Sequence, residues 1–279
     1  METALQLLPP RLKAMINRDA LEEIRLRAGK QAGIVSRGEE KSLDYIITND
    51  ELARVLEVAT QGSFHTALDS IRHGFITIAG GHRLGIGGTA VMQDGEVKLI
   101  RDISSINIRI AREYIGVSRP IADKLFSEGH LRNTLITSFP GGGKTTLLRD
   151  LILQISDGGE GRKPLKVSVA DERGELAACY GGQPRLNVGA HTDVLEGCPK
   201  RIAVGMMLRA LGPQVIAMDE ITDDTSPVRA VLDCGVSILA TAHGFSRTEY
   251  KGLFERFVTI EIKNGRREYA VRDENGVAV

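Results

Sequence analysis

The 279-residue sequence predicts an α/β protein in two domains: a smaller N-terminal α+β domain over residues 1–117, and a C-terminal domain over 118–279. Three observations carry this. Before Ser118, short runs alternate apolar and polar residues between turn signals, as antiparallel strands do. After it, short apolar runs alternate with helical patterns, as in a mostly parallel sheet covered by helices. A glycine-rich run, Gly141 to Gly143, stands where one such apolar run meets a helical one.

The elements follow in chain order. Leu21–Arg27 alternates apolar and charged residues, and Gln31–Ser36 follows Gly29 as a second strand. Thr48 and Glu51 form a capping box that opens a helix running to about Thr60. A short helix is expected over Phe64–Ile71. Phe75–Ala79, Arg83–Met92, Val97–Arg101 and Ile106–Ala111 read as consecutive strands, with Asp94-Gly95 a type I′ hairpin turn. Gly80-Gly81-His82-Arg83-Leu84-Gly85-Ile86-Gly87-Gly88 lies between strand-like segments with no helix after it. It therefore reads as a hairpin and not as a dinucleotide loop. A linker is placed at Gly116–Pro120. Thr134–Ser138, Lys166–Asp171, Val215–Asp219 and Ser237–Thr241 are the expected core strands, apolar as strands buried on both faces are. Asp157–Gly161 is a loop, and Val258–Ile262 with Arg267–Val271 make a closing hairpin through Asn264-Gly265.

Composition excludes several classes. Lys+Arg and Asp+Glu are both 36, and a cut at Ser118 leaves 15 of each before it, so neither half is basic and phosphate-driven nucleic-acid binding is not advertised. No stretch approaches the ~20 apolar residues that span a bilayer, and Met1–Arg11 lacks a signal-peptide core, so a cytoplasmic protein without membrane insertion is expected. Cys179, Cys198 and Cys234 show no C-x-x-C spacing and are expected as small buried hydrophobes.

The chemistry concentrates in Ser138-Phe139-Pro140-Gly141-Gly142-Gly143-Lys144-Thr145-Thr146, which follows an apolar strand and precedes the helical run Leu147–Ile155. This is the setting of a phosphate-binding P-loop: glycine N–H groups and a helix N-terminus face the phosphates, Lys144 reaches the β- and γ-phosphates, and Thr145 ligates Mg²⁺. The first motif position carries Ser138 in place of glycine, and its Cβ is expected to restrict the tight turn. Val215–Asp219 then ends in Asp219-Glu220, the arrangement in which the aspartate holds Mg²⁺ and the glutamate activates water. ATP and Mg²⁺ are the cofactors this implies. Asp171 and Glu172 end another core strand, and His243 follows Ser237–Thr241. All three stand at the sheet edge where open α/β folds bind ligands, and His243 is a candidate sensor of the γ-phosphate. Arg83, Arg101, Arg109 and Arg112 are spaced along N-terminal strands. Solvated faces are the plain reading, and arginine fingers reaching a neighbouring subunit's nucleotide are the functional one.

The block Met207–Asp223, followed by Ala230–Gly235 and Thr241-Ala242-His243-Gly244, resembles the Walker B and His-box region of the secretion and pilus traffic ATPases. Their Asp box would match Val169–Arg173. Within that superfamily the sequence is similar to the stage III sporulation protein AA family over nearly its whole length. The similarity lies in Leu21–Arg27, Gly80–Gly85, Ser104–Glu113, Asp171–Glu175, Thr192–Leu195 and Cys198–Lys200. The resemblance implies a RecA-like P-loop ATPase core and an assembly that is a homo-oligomeric ring, expected to be a hexamer; Asp171 and Glu172 at their strand end, and Arg83 and Arg109 along their strands, are the further catalytic candidates. It further implies a place in endospore formation, peripheral to the mother-cell face of a secretion-like channel and docked on a membrane protein. His191 stands where an arginine is expected before Thr192-Asp193. Two other readings are weighed. A nucleic-acid motor is opposed by 12 aromatic residues, the lack of Trp and the neutral halves. A nucleotide-gated scaffold with little hydrolysis is favoured by Ser138 and opposed by Asp219-Glu220.

Overall fold

A computed structural model of the chain describes residues 1–61, 74–159, 161–221, 224–243, 250, 252–263 and 266–279. The helix expected over Phe64–Ile71 and the Asn264-Gly265 turn lie outside the described residues, as do Glu160, Asp223 and Gly244. Two compact units emerge: Met1–Arg112 with Ala178–Arg185, and Glu113–Ala177 with Leu186–Val279. The change-over thus falls at Arg112/Glu113 where 117/118 was expected, and Ala178–Arg185 clusters with the first unit.

The first unit begins with helices α1 (Glu2–Leu5) and α2 (Pro10–Met15) and is built on six strands: β1 (Leu21–Arg27), β2 (Gln31–Ser36), β3 (Glu39–Ile46), β4 (Phe75–Ile78), β5 (His82–Gln93) and β6 (Glu96–Arg109). They pair antiparallel in the order β3-β2-β1-β6-β5-β4. Leu21, Ile24 and Leu26 of β1 and Ile106 and Ile108 of β6 point into one apolar core, against which helix α3 (Asn49–Ala59) lays Leu52, Val55 and Leu56. The capping box forms: the Glu51 N–H donates to Thr48 Oγ1 at 3.2 Å, and the Thr48 N–H donates to Glu51 Oε2 at 2.9 Å. Asp94 and Gly95 both take positive φ, as a type I′ turn requires. Gly80 and Gly81 likewise sit with positive φ in the β4–β5 hairpin turn.

Two expectations are corrected. Val97–Arg101 and Ile106–Ala111 are one strand, β6, because β5 runs on opposite it; a register shift between Gly87 and Thr89 and a left-handed Asp102 absorb the polar interruption. β3 was not expected, since Glu39, Glu40 and Lys41 leave it without alternation. It is a mostly exposed edge strand, the place where charge protects a sheet.

The second unit opens with α4 (Arg119–Ala122) and the two-residue strands β7 (Phe126–Ser127) and β8 (His130–Leu131). Its main sheet contains β9 (Thr134–Ser138), β10 (Val167–Asp171), β11 (Thr192–Glu196), β12 (Val215–Ile221), β13 (Ser237–His243), β14 (Arg256–Lys263) and β15 (Arg266–Asp273). The order is β11-β10-β12-β13-β9-β14-β15, parallel throughout except for the antiparallel β14–β15 hairpin. All residues of β9 and β10 are buried, and Leu135, Ile136, Val167, Val169 and Ala170 give them their apolar character between buried hydroxyls and Asp171. β11 was missed because it is a half-exposed edge. His191 anchors its start, with its N–H on Ser156 Oγ at 2.8 Å and its Nδ1 2.9 Å from the Ser156 carbonyl. Helices α5 (Lys144–Asp157), α6 (Lys200–Ala210) and α7 (Ser226–Asp233) complete the unit. Asp150 of α5 is buried and accepts from the N–H groups of Gly116 and Ser118 and from Ser118 Oγ, pinning the expected linker to that helix. The cysteines differ from expectation: Cys234 is exposed, and Cys179 and Cys198 are half-buried.

Candidate functional site

Parallel pairing brings the C-terminal ends of β9, β10, β12 and β13 to one edge, with His243 directly opposite Ser138. The loop after β9 leads into α5 through Gly143, whose φ of 103° is left-handed and which offers no capping side chain. No acidic residue occupies the first turn either, so the N–H groups at the head of this 14-residue helix are left for an anion. Lys144 is buried against the loop with Nζ 3.3 Å from the Ser138 carbonyl, while Pro140 is exposed and Thr146 is half-buried in the first turn.

Ser138 does not restrict the turn as expected. It ends β9 outside the left-handed region, so the position makes no use of a glycine's freedom. Its hydroxyl donates to the Phe139 carbonyl at 2.9 Å. The glycine that matters is Gly142: a Cβ there would lie 2.9 Å from Ser138 Cβ, closer still to Ser138 Oγ, and 3.0 Å from the Phe139 carbonyl oxygen. The loop thus accommodates the serine by leaving space one turn further on. Arg267 of β15 steadies the same peptide, its Nε donating to the Gly142 carbonyl at 2.9 Å.

Next to the loop, Thr145 Oγ1 donates to Asp219 Oδ2 at 3.1 Å. Buried Thr241 joins both acidic residues: its Oγ1 donates to Asp219 Oδ1 at 2.7 Å and accepts from the Glu220 N–H at 2.8 Å. Glu220 itself has φ of 47° at a register break in β12. A non-glycine residue held there costs about 1–3 kcal/mol and persists where its surroundings over-determine it. Its Oε1 lies 3.0 Å from His243 Nε2, and its Oε2 accepts from Arg173 Nη1 at 2.7 Å.

The sequence profile of the family described as sporulation stage III, protein AA matches residues 4–271. The chain belongs to this family. Stage III sporulation protein AA of Bacillus subtilis (strain 168) is 39% identical over 228 residues, 81% of this chain and 74% of the relative. Among solved structures, the pilus retraction motor PilT with bound ADP superposes with a TM-score of 0.62 at 16% identity, covering 94% of this chain and 80% of that one. The ATPase DotB of Legionella pneumophila gives 0.57 at 14% identity over 90% and 76%. These likenesses show the fold, the RecA-like P-loop architecture of the traffic ATPases.

Lys144, Thr145, Asp219, Glu220 and His243 lie along this sheet edge. Glu172 does not join them, and Asp171, although near enough to feel the Asp219 charge, spends its carboxylate on the backbone. Asp171 is 1% exposed, and its carboxylate accepts from the N–H groups of Glu175, Leu176 and Ala177 at 2.8 to 3.0 Å, so it folds the following loop in place of facing a ligand. Burial, with a smaller push from the Asp219 charge, raises its pKa, and those three donors pull it back. Arg149 secures the same loop from α5, donating to the carbonyls of Glu175 and Leu176. Its own pKa is lowered by burial and supported by Asp171, Glu113, Asp219 and Glu175. Exposed Glu172 turns to Lys200 at 3.0 Å. Arg83 and Arg109 lie opposite each other on β5 and β6, Arg83 stacked 3.8 Å over the Phe75 ring and Arg109 3.3 Å from Glu23. Arg101 pairs with Asp102, and Arg112 donates to the Leu21 carbonyl.

Thr241, Arg149 and Arg267 were not foreseen. Thr241 carried a faint signal as a hydroxyl in an otherwise apolar strand; the others carried none, because their partners are carbonyls distant in sequence. The donor set suits Mg²⁺: this ion takes one or two protein ligands beside phosphate oxygens and waters, and Thr145 and Asp219 present one hydroxyl and one carboxylate side by side. Among the described residues no three His, Cys, Asp or Glu side chains gather into an all-protein metal cage.

Proposed function

We propose that the chain is a Mg²⁺-dependent ATP hydrolase acting as the motor of a secretion-like channel in spore formation. The observation that carries the reading is the Thr145–Asp219 contact beside an uncapped helix N-terminus, with Glu220 on the next residue. Lys144 and the N–H groups of Gly141 to Thr146 would neutralise the β- and γ-phosphates. Thr145 and Asp219 would hold Mg²⁺, which would offset the negative charge that develops on the phosphate oxygens. Glu220 orients water and takes its proton as the water oxygen bonds to the γ-phosphorus and the bond to the β-phosphate oxygen breaks. His243, 3.0 Å from the Glu220 carboxylate, would read the γ-phosphate. Arg83 and Arg109 would act as fingers toward a neighbouring subunit's nucleotide, a contribution of ~10³ to 10⁵ in rate where such residues operate.

Binding and release of nucleotide would move the domains of each subunit within a ring, expected to be a hexamer, and force would pass to a membrane protein at the mother-cell face of the channel. No helix among the described residues is long and apolar enough to cross a membrane. The Gly142 space accommodates Ser138, which supports a loop able to take phosphate despite the serine. The test is turnover per subunit against protein concentration, with mass measured by light scattering. Turnover that rises as rings form supports a site completed between subunits; turnover independent of concentration and assembly sinks that part of the reading.

A further inference from the structure

Glu220 is fixed at every level that bears on the direction of its carboxylate. Its backbone is left-handed and its N–H is held by Thr241 Oγ1. One carboxylate oxygen meets His243 Nε2 at 3.0 Å and the other meets Arg173 Nη1 at 2.7 Å. An ionised carboxylate has about four lone-pair sites, so two contacts fix its plane and leave lone pairs for a water. Arg173 itself stands on a loop that has little freedom. Asp171 closes that loop through three backbone N–H groups, and Arg149 holds two of its carbonyls from the helix that begins at the P-loop.

We infer that Arg173 is a positioning residue for hydrolysis: it sets the plane of the Glu220 carboxylate so that the unused lone pairs face the attacking water. Asp171 and Arg149 act through it by fixing the loop that carries it, and this accounts for a buried carboxylate and a buried guanidinium that spend their hydrogen bonds on the 175–177 backbone beside the site. The inference rests on the reading of Glu220 as the general base. Arg173 acts on the chemical step through the Glu220 carboxylate that it holds.

The Arg173 side chain is 62% exposed, so its removal leaves the fold in place. In the full chain, Arg173→Ala is expected to lower kcat by about 10²-fold, the scale of a misplaced reacting group. The KM for ATP and the Kd for ADP should stay within about twofold, the split expected of an interaction made only on the way to the transition state. Arg173→Lys should recover part of the loss, because it restores one donor to Glu220 Oε2. In a Glu220→Gln background, Arg173→Ala should change the residual rate by less than about twofold, since the group it positions is gone.

Undiminished kcat in Arg173→Ala overturns the inference, as does a full loss that persists in the Glu220→Gln background. An active wild type with an unaffected Arg173→Ala removes the positioning role alone. A wild type no faster than Glu220→Gln removes the hydrolysis reading and this inference with it.

Discussion

Replacing Gly142 with alanine tests whether the P-loop tolerates Ser138 for the reason given. The new Cβ would stand 2.9 Å from Ser138 Cβ and 3.0 Å from the Phe139 carbonyl oxygen, in a loop whose next peptide is already tied to Arg267. Turning the serine hydroxyl away relieves neither contact, so the backbone of the loop must shift by several tenths of an ångström. Overpacking of this kind costs ~1–3 kcal/mol, which is about 5- to 150-fold in affinity where the strained segment is the binding site. The assay is equilibrium binding of a fluorescent ADP analogue in the presence of Mg²⁺, with a thermal melt to show that the fold survives. The decisive partner is the double variant Ser138→Gly/Gly142→Ala, in which the Cβ finds the space the serine vacated; it should bind at least several-fold better than Gly142→Ala alone. Wild-type affinity in Gly142→Ala, or a double variant as weak as the single, refutes the idea that these two positions exchange their volume.

Thr241→Val removes a hydroxyl from a fully buried position while keeping its shape. The Glu220 N–H is left without its acceptor, and the cost in stability should be ~1–3 kcal/mol, seen as a lower urea midpoint, with kcat falling as well. Thr241→Ser should keep both, and a valine variant as stable and active as wild type would show that the hydroxyl does not organise the acidic pair. His82 predicts a pH effect in the first unit. It is 2% exposed, its Nδ1 accepts the Ala111 N–H, and burial, with a smaller effect of the chain's amino terminus, lowers its pKa to about 4. The unfolded imidazole titrates near 6.5 and binds more protons than the folded one between these values. Stability is therefore whole above about pH 6.5 and lost as pH falls toward 4, by about 3 kcal/mol at ~1.4 kcal/mol per pH unit. His82→Gln should flatten that slope in denaturant titrations at a series of pH values, and an unchanged slope would assign the acid sensitivity elsewhere.

How much of this could be read from the residues follows from where each signal resides. Buried parallel strands announce themselves, because β9, β10, β12 and β13 must be apolar on both faces. The capping box of α3 is local, with both partners three residues apart, and the sequence shows it directly. Edge strands carry no such constraint, so β3 and β11 pass unnoticed among polar residues. Within the site, the P-loop and the Asp219-Glu220 pair are legible because each is a short motif at a strand end. Asp171 misleads for the same reason: a carboxylate after an apolar strand looks alike whether it meets a ligand or three backbone N–H groups, and the folding of 172–177 decides which. Arg173 and Glu220 lie 47 residues apart, and no spacing within either segment relates them.

The central claim, that this site hydrolyses ATP, is tested most directly by phosphate release with Mg²⁺ from the wild type, Lys144→Ala and Glu220→Gln, alongside nucleotide binding by each. The account predicts steady turnover in the wild type. It predicts weakened binding in Lys144→Ala, and retained binding with turnover reduced by at least ~10²-fold, the lower range for a general base, in Glu220→Gln. A wild type that binds ATP and releases phosphate no faster than Glu220→Gln would contradict it.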